Sequence, residues 1–160
     1  MSTISYPPHK STIGDLDANI IALLSYLITI FIGGIDNLKF VVWLIPLIIY
    51  IIEKNSGLVK FHAMQSLVLN LLGSVLNFLF SVVIGGIFSV SPLLTSTKIG
   101  AFFTFGITGM MSLLIGLVTF AVSIAVFIFS VISMINAYNY KEYEIPFINK
   151  ISEKFKEYIK

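Results

Sequence analysis

The sequence contains no cysteine and no arginine, and charged residues make up only 11% of its 160 positions. Without cysteine there are no disulfides, thiolate nucleophiles or Cys-ligated zinc or iron–sulfur sites. A water-soluble domain carries about 25% charged residues, so 11% is too few to keep a surface in water. The net charge of +2 is small for a nucleic-acid binder, and no basic face with interleaved aromatics occurs. The Gly-Gly pairs sit inside apolar runs and form no phosphate-binding loop of the Walker or Rossmann kind. His9 and His62 are the two histidines, too few for a metal centre. Proton-coupled transporters and intramembrane proteases place ionisable groups inside the membrane, and none lies deep in an apolar run here. The sequence therefore reads as a non-enzyme, with no cofactor and no metal expected.

What is present is apolar: 57% of the residues are hydrophobic, and the mean hydropathy is +0.97. No Asp, Glu, Lys or His occurs in 40–52, 63–97 or 99–140. A hydrocarbon core of about 30 Å takes roughly 20 apolar residues as helix, and in lipid only helices or closed barrels satisfy the backbone. Strict alternation is absent, so the fold class is all-α: a polytopic integral membrane protein with about four transmembrane helices and a C-terminal amphipathic interfacial helix. The spans are expected at 18–35, 38–52, 63–90 and 110–136, within a transmembrane domain of residues 18–140. Gly33 to Asn37 reads as the first turn, and Pro46 as a kink in a short second span. Asn55-Ser56-Gly57 reads as a helix stop with Gly57 as a left-handed cap. Gly85-Gly86 is the weak point of an overlong third span, a small loop follows over 91–98, and 99–105 reads as an interfacial lead-in.

Residues 1–17 are polar, carry Pro7-Pro8 and lack the apolar core of a secretory signal, so they read as a flexible arm. With four spans, eight lysines (Lys10, Lys54, Lys60, Lys141, Lys150, Lys154, Lys156 and Lys160) fall on one side. Lys39 and Lys98 fall on the other. The positive-inside rule then makes the first side cytoplasmic and places the chain in the cell membrane with both termini inside.

Small and polar residues recur every three or four positions on the long spans, which puts each set on one helical face. The third span carries Asn70, Ser74, Asn77 and Ser81, and the fourth carries Ser112, Gly116, Thr119 and Ser123. Ala18, Ala22, Ser25, Thr29 and Gly33 form a similar stripe on the first. Membrane helices associate through close backbone approach and interhelical hydrogen bonds, so these stripes read as packing seams, chiefly between the third and fourth spans. The other reading is a polar path for a solute, with Asn70 and Asn77 as its strongest members.

At the start of the third span, Lys60, Phe61, His62, Gln65 and Ser66 form a boundary cluster that either hydrogen-bonds neighbouring helix ends or acts as a docking point. Gly14 to Asn19, the run Ile45 to Ile49 and Phe61-His62-Ala63-Met64-Gln65 resemble the Tic-twenty-like family of small prokaryotic membrane proteins. The stretch from Asn136 to Ile148 is similar to that family's closing segment. The resemblance implies a four-helix membrane domain and no particular activity. After Pro146, the apolar residues Phe147, Ile148, Ile151, Phe155, Tyr158 and Ile159 alternate with lysines and glutamates at helical spacing. Residues 141–160 thus read as a cytoplasmic amphipathic tail suited to an anionic leaflet.

Two functions follow. The first is a membrane scaffold or accessory subunit, whose partners are the lipid bilayer and either further copies of itself or another membrane protein, with no nucleic acid involved. The alternative is a small channel or translocation-related pore component.

Overall fold

A computed structural model describes residues 4–33, 35, 38, 40–94 and 98–158. Among the described residues there are five helices and no strands: α1 (Ala18–Gly33), α2 (Leu44–Ile52), α3 (Gly57–Leu94), α4 (Lys98–Tyr138) and α5 (Ile148–Tyr158). α3 has 38 residues and α4 has 41; at 1.5 Å per residue they rise about 57 and 61 Å. Their most apolar segments, Gly57–Gly86 and Thr104–Tyr138, are each long enough to cross a membrane.

The other two expected spans are shorter. α1 has 16 residues, and α2 has nine, a rise of about 13 Å. Residues 40–43 are turns rather than helix, with amide-to-carbonyl bonds three residues apart from Val41 to Leu38 and from Leu44 to Val41. Pro46 is the third residue of α2. In a first turn its missing N–H has no intrahelical partner to lose, so it starts the helix instead of kinking it.

Three further expectations are corrected. Gly57 does not end a helix in the left-handed region; it opens α3. Ser56 is the N-cap, its Oγ accepting from the Val59 amide at 3.2 Å. α3 runs without interruption through Gly85-Gly86, and α4 takes in 99–105 as one continuous helix. Parts of the expected loops, at Gly34, Asp36, Asn37 and 95–97, lie outside the described residues.

The described part of the N-terminal arm is hydrogen-bonded to the segment after α4. The Tyr6 amide donates to the Tyr140 carbonyl at 2.8 Å, and the Glu142 amide to Ile4 at 2.9 Å. Tyr6 Oη donates to the Glu142 carboxylate at 2.7 Å. Lys10 and Asp17 form an ion pair at 2.9 Å beside a tight turn in which Gly14 (φ 63°) and Asp15 (φ 53°) are both left-handed. Glycine takes that conformation freely, and aspartate tolerates it better than most residues.

These contacts gather the arm, the 53–56 junction, the end of α4 and the approach to α5 at one polar pole of the bundle. The core is in two parts. Ala18, Ile21, Ala22, Leu58, Val59 and Ala137 join α1, α3 and α4 near the pole, with Tyr6 and Tyr140 against them. Met64, Leu67, Val68 and Leu69 of α3 pack with Ile145 and Ile148, against Trp43, Leu47 and Tyr50.

Candidate functional site

Glu53 caps α2, and its carboxylate organises the pole. The side chain is 1% exposed. It accepts hydrogen bonds from the hydroxyls of Ser11 and Thr12 and from the amides of Thr12, Asn55 and Ser56. Burial acts against the charged carboxylate. The hydrogen bonds, chiefly from Ser11, Ser56 and Thr12, outweigh it and hold the group at about 2. His9 adds a second tie, its Nε2 lying 2.7 Å from the Ser56 Oγ that caps α3. Tyr6 is driven the other way. Partial burial and the Glu142 carboxylate that accepts its hydrogen bond push its hydroxyl up to about 12.

A ladder of polar pairs rises from the pole between α1 and α3. Tyr26 Oη lies 3.2 Å from His62 Nδ1, and His62 Nε2 lies 3.0 Å from the Lys141 carbonyl. Ser66 Oγ donates to the Ser25 carbonyl at 2.7 Å. Asn70 Nδ2 reaches Thr29 Oγ1 at 3.3 Å and the Ser66 carbonyl at 2.7 Å. Asn19 joins α4 through the Tyr138 carbonyl at 3.0 Å. Each pair satisfies groups that would otherwise be stranded in an apolar interior.

The boundary cluster is thus internal. Phe61, His62, Gln65 and Ser66 are buried and Lys60 is half-buried, so an exposed docking point is not what they form. His62 and Ser66 tie helices together, while Gln65 is fully buried and neither of its amide atoms has a hydrogen-bond partner.

The seam residues also divide differently from expectation. Ser66 and Asn70 bond to α1, whereas Asn77, Ser81, Thr119 and Ser123 each donate to the carbonyl four residues back on their own helix. Asn70, Ser74, Asn77 and Ser123 line a cleft of about 250 Å³ between α1, α3 and α4, which also touches Thr29 and Ser130. Ser81, Ser112, Gly116 and Thr119 stand outside it. Ser112 Oγ is buried without a partner. Gly116 is exposed, and a Cβ built on it would meet nothing within 4 Å, so it marks no close crossing within the chain.

Glu53, Ser11 and Thr12 were not legible as a group. A carboxylate at a span end reads as hydrated, and the two hydroxyls that reach it are 41 and 42 residues away. The usable signal was the adjacent hydroxyl pair in an arm otherwise lacking helix or strand character.

Residues 17–152 match the magnetosome magnetite crystal formation protein family, MamF/MmsF. The chain belongs to this family. It is also 30% identical over 148 residues to the UPF0132 membrane protein of Methanocaldococcus jannaschii, covering 92% of this chain and 96% of that one. No solved structure matches it. The MamF/MmsF match, which spans most of the chain, overturns the Tic-twenty-like resemblance, which rested on a short motif at a helix start and on hydropathy. MamF/MmsF membership and the relative's name make this a membrane protein, and the two long apolar helices agree with that.

Proposed function

We propose that the protein is a non-enzymatic membrane scaffold or accessory subunit that assembles with further copies of itself or with another membrane protein. One observation carries this reading. Gly85, Gly109 and Gly116 are exposed and a Cβ added at any of them would meet nothing within 4 Å, so α3 and α4 keep smooth stretches that no helix of the same chain covers. Such faces allow close helix–helix approach in lipid. The ionisable groups of the pole support a structural role, because Glu53 and His62 have their polar atoms engaged in tying segments together. The family's description concerns magnetite crystal formation in magnetosomes, with which an accessory role is compatible.

In this reading the chain is a multi-pass protein of the cell membrane, with α1 and α2 forming a hairpin whose arms begin and end at the pole. The bond between Thr12 and Glu53 supports that return. The lysines at the pole support a cytoplasmic position for it and for both termini.

The test is Gly116→Leu. Open space around Gly116 means that the fold of one chain accommodates leucine, so detergent melting temperature should hold while cross-linked oligomers are lost. Unchanged oligomers, or a wild type without them, would refute the assembly reading. A second reading, a small pore component, rests on the cleft whose largely apolar lining includes Asn70, Asn77 and Ser123. It predicts conductance from purified protein in lipid that is abolished by Asn77→Leu.

A further inference from the structure

We propose that Phe147 is a membrane-surface anchor, held out by a strained turn beside the lysines of α5 so that its ring enters an anionic lipid headgroup region. Phe147 has φ 66°, and the Ile148 amide donates to the Pro146 carbonyl at 2.8 Å, closing a three-residue turn around it. That is the γ-turn with positive φ at its centre, the rare and strained form. A side chain with a Cβ resists this conformation, and glycine does not. The ring is 83% exposed, so it gains no packing to offset the strain. Neither backbone preference nor the protein core accounts for phenylalanine here.

α5 shows what the ring stands beside. Its apolar side is already occupied: Ile148 is buried, and Ile151 and Phe155 pack on the cluster built from α2 and α3. Lys156 Nζ sits 5.2 Å from the centre of the Phe61 ring. The amphipathic face expected to lie on lipid is therefore turned onto protein. Facing outward are Lys150 and Lys154, with Glu153 and Glu157, and Tyr158 at 87% exposure. Lys54 and Lys141 are exposed at the same pole.

The occupant follows from charge and position. The pole lies where the apolar segment of α3 begins, at the level of a bilayer surface. Aromatic rings settle at that level, and basic residues beside it are drawn to anionic lipid. Phe147 at one end of α5 and Tyr158 at the other flank Lys150 and Lys154 together with Glu153 and Glu157, and the exposed Lys54 and Lys141 at the same pole add the positive charge that draws such a surface.

The test uses the full chain with Trp43→Phe and Phe147→Trp, which leaves a tryptophan only at position 147, since the native chain has one tryptophan. The protein is placed in phosphatidylcholine vesicles with or without phosphatidylglycerol, each containing lipid brominated near the headgroup end of the acyl chain. The expected result is a blue-shifted emission that loses most of its intensity to the bromines, more completely with phosphatidylglycerol present. Equal quenching in the two vesicle types would overturn the anionic preference. Water-like, unquenched emission in both would overturn the anchor and leave a protein partner as the ring's occupant. Phe147→Gly provides a second reading in the native background. It should keep or raise the melting temperature while weakening binding of the solubilised protein to phosphatidylglycerol nanodiscs, and a lowered melting temperature would overturn the strained-turn argument.

Discussion

Tyr26 and His62 meet edge-to-face inside the bundle, their ring centroids 5.8 Å apart and their planes at 76°. Through His62 the hydroxyl of α1 is linked to the Lys141 carbonyl beyond the end of α4, so one imidazole joins three segments. Tyr26→Phe keeps the ring contact and removes only the hydroxyl. It should cost about 1 kcal/mol, the usual scale for a hydrogen bond within a membrane protein. His62→Ala removes both bonds and opens a void, and should cost about 2–4 kcal/mol. Detergent unfolding of the two variants measures both, and equal losses would show that the imidazole contributes only through Tyr26.

The Glu53 carboxyl makes stability fall in acid. Its ordinary value is 4.5, and in the folded protein it is held at about 2. A lowered folded value means the contribution is complete above the ordinary value and is lost as pH falls toward the folded one. The loss should amount to about 1–3 kcal/mol. Melting temperatures of wild type and Glu53→Gln should differ most at neutral pH and converge on acidification. A gap that stays constant with pH would refute the role given to the charge.

Gln65 is the reverse case, a buried amide with neither atom paired. Gln65→Met preserves volume and removes the polar groups, and should raise stability by about 1 kcal/mol. Thermal unfolding decides it, and a clear loss would mean that the amide has partners the geometry does not reveal.

Accessibility labelling tests the orientation on a background without cysteine. Cysteines at the exposed Asn55 and Lys150 should be protected from an impermeant thiol reagent outside intact cells, and one at the exposed Ile35 should react. External labelling of Asn55→Cys would reverse the lysine-based topology.

How much of this was readable in advance varied by residue. The stripe Ala18, Ala22, Ser25 and Thr29 announced an interior face of α1, and the structure buries all four. Periodicity identifies which residues share a face but not which helix that face meets: α3 does pack on α4, but Asn70, expected at that seam, bonds to Thr29 of α1. Asn55-Ser56-Gly57 was ambiguous for a chemical reason. The residues that stop one helix also start another, and only the Val59 amide on Ser56 Oγ separates the two. α2 was overestimated because hydropathy does not register that 40–43 form turns.

The closure of the pole sets an order of events during synthesis. Tyr6 waits for Glu142, its partner 136 residues later, and Ile4 likewise waits for the Glu142 amide. Asn19, at the start of α1, waits for the Tyr138 carbonyl, 119 residues on. Until α4 has left the ribosome and inserted, the Asn19 amide has no partner, and the arm can be held only through Ser11 and Thr12 on Glu53 and His9 on Ser56. The segment from Ile4 to Tyr6 is therefore the last part of the arm to be secured, and nascent chains that stall before α4 ends expose it to proteolysis.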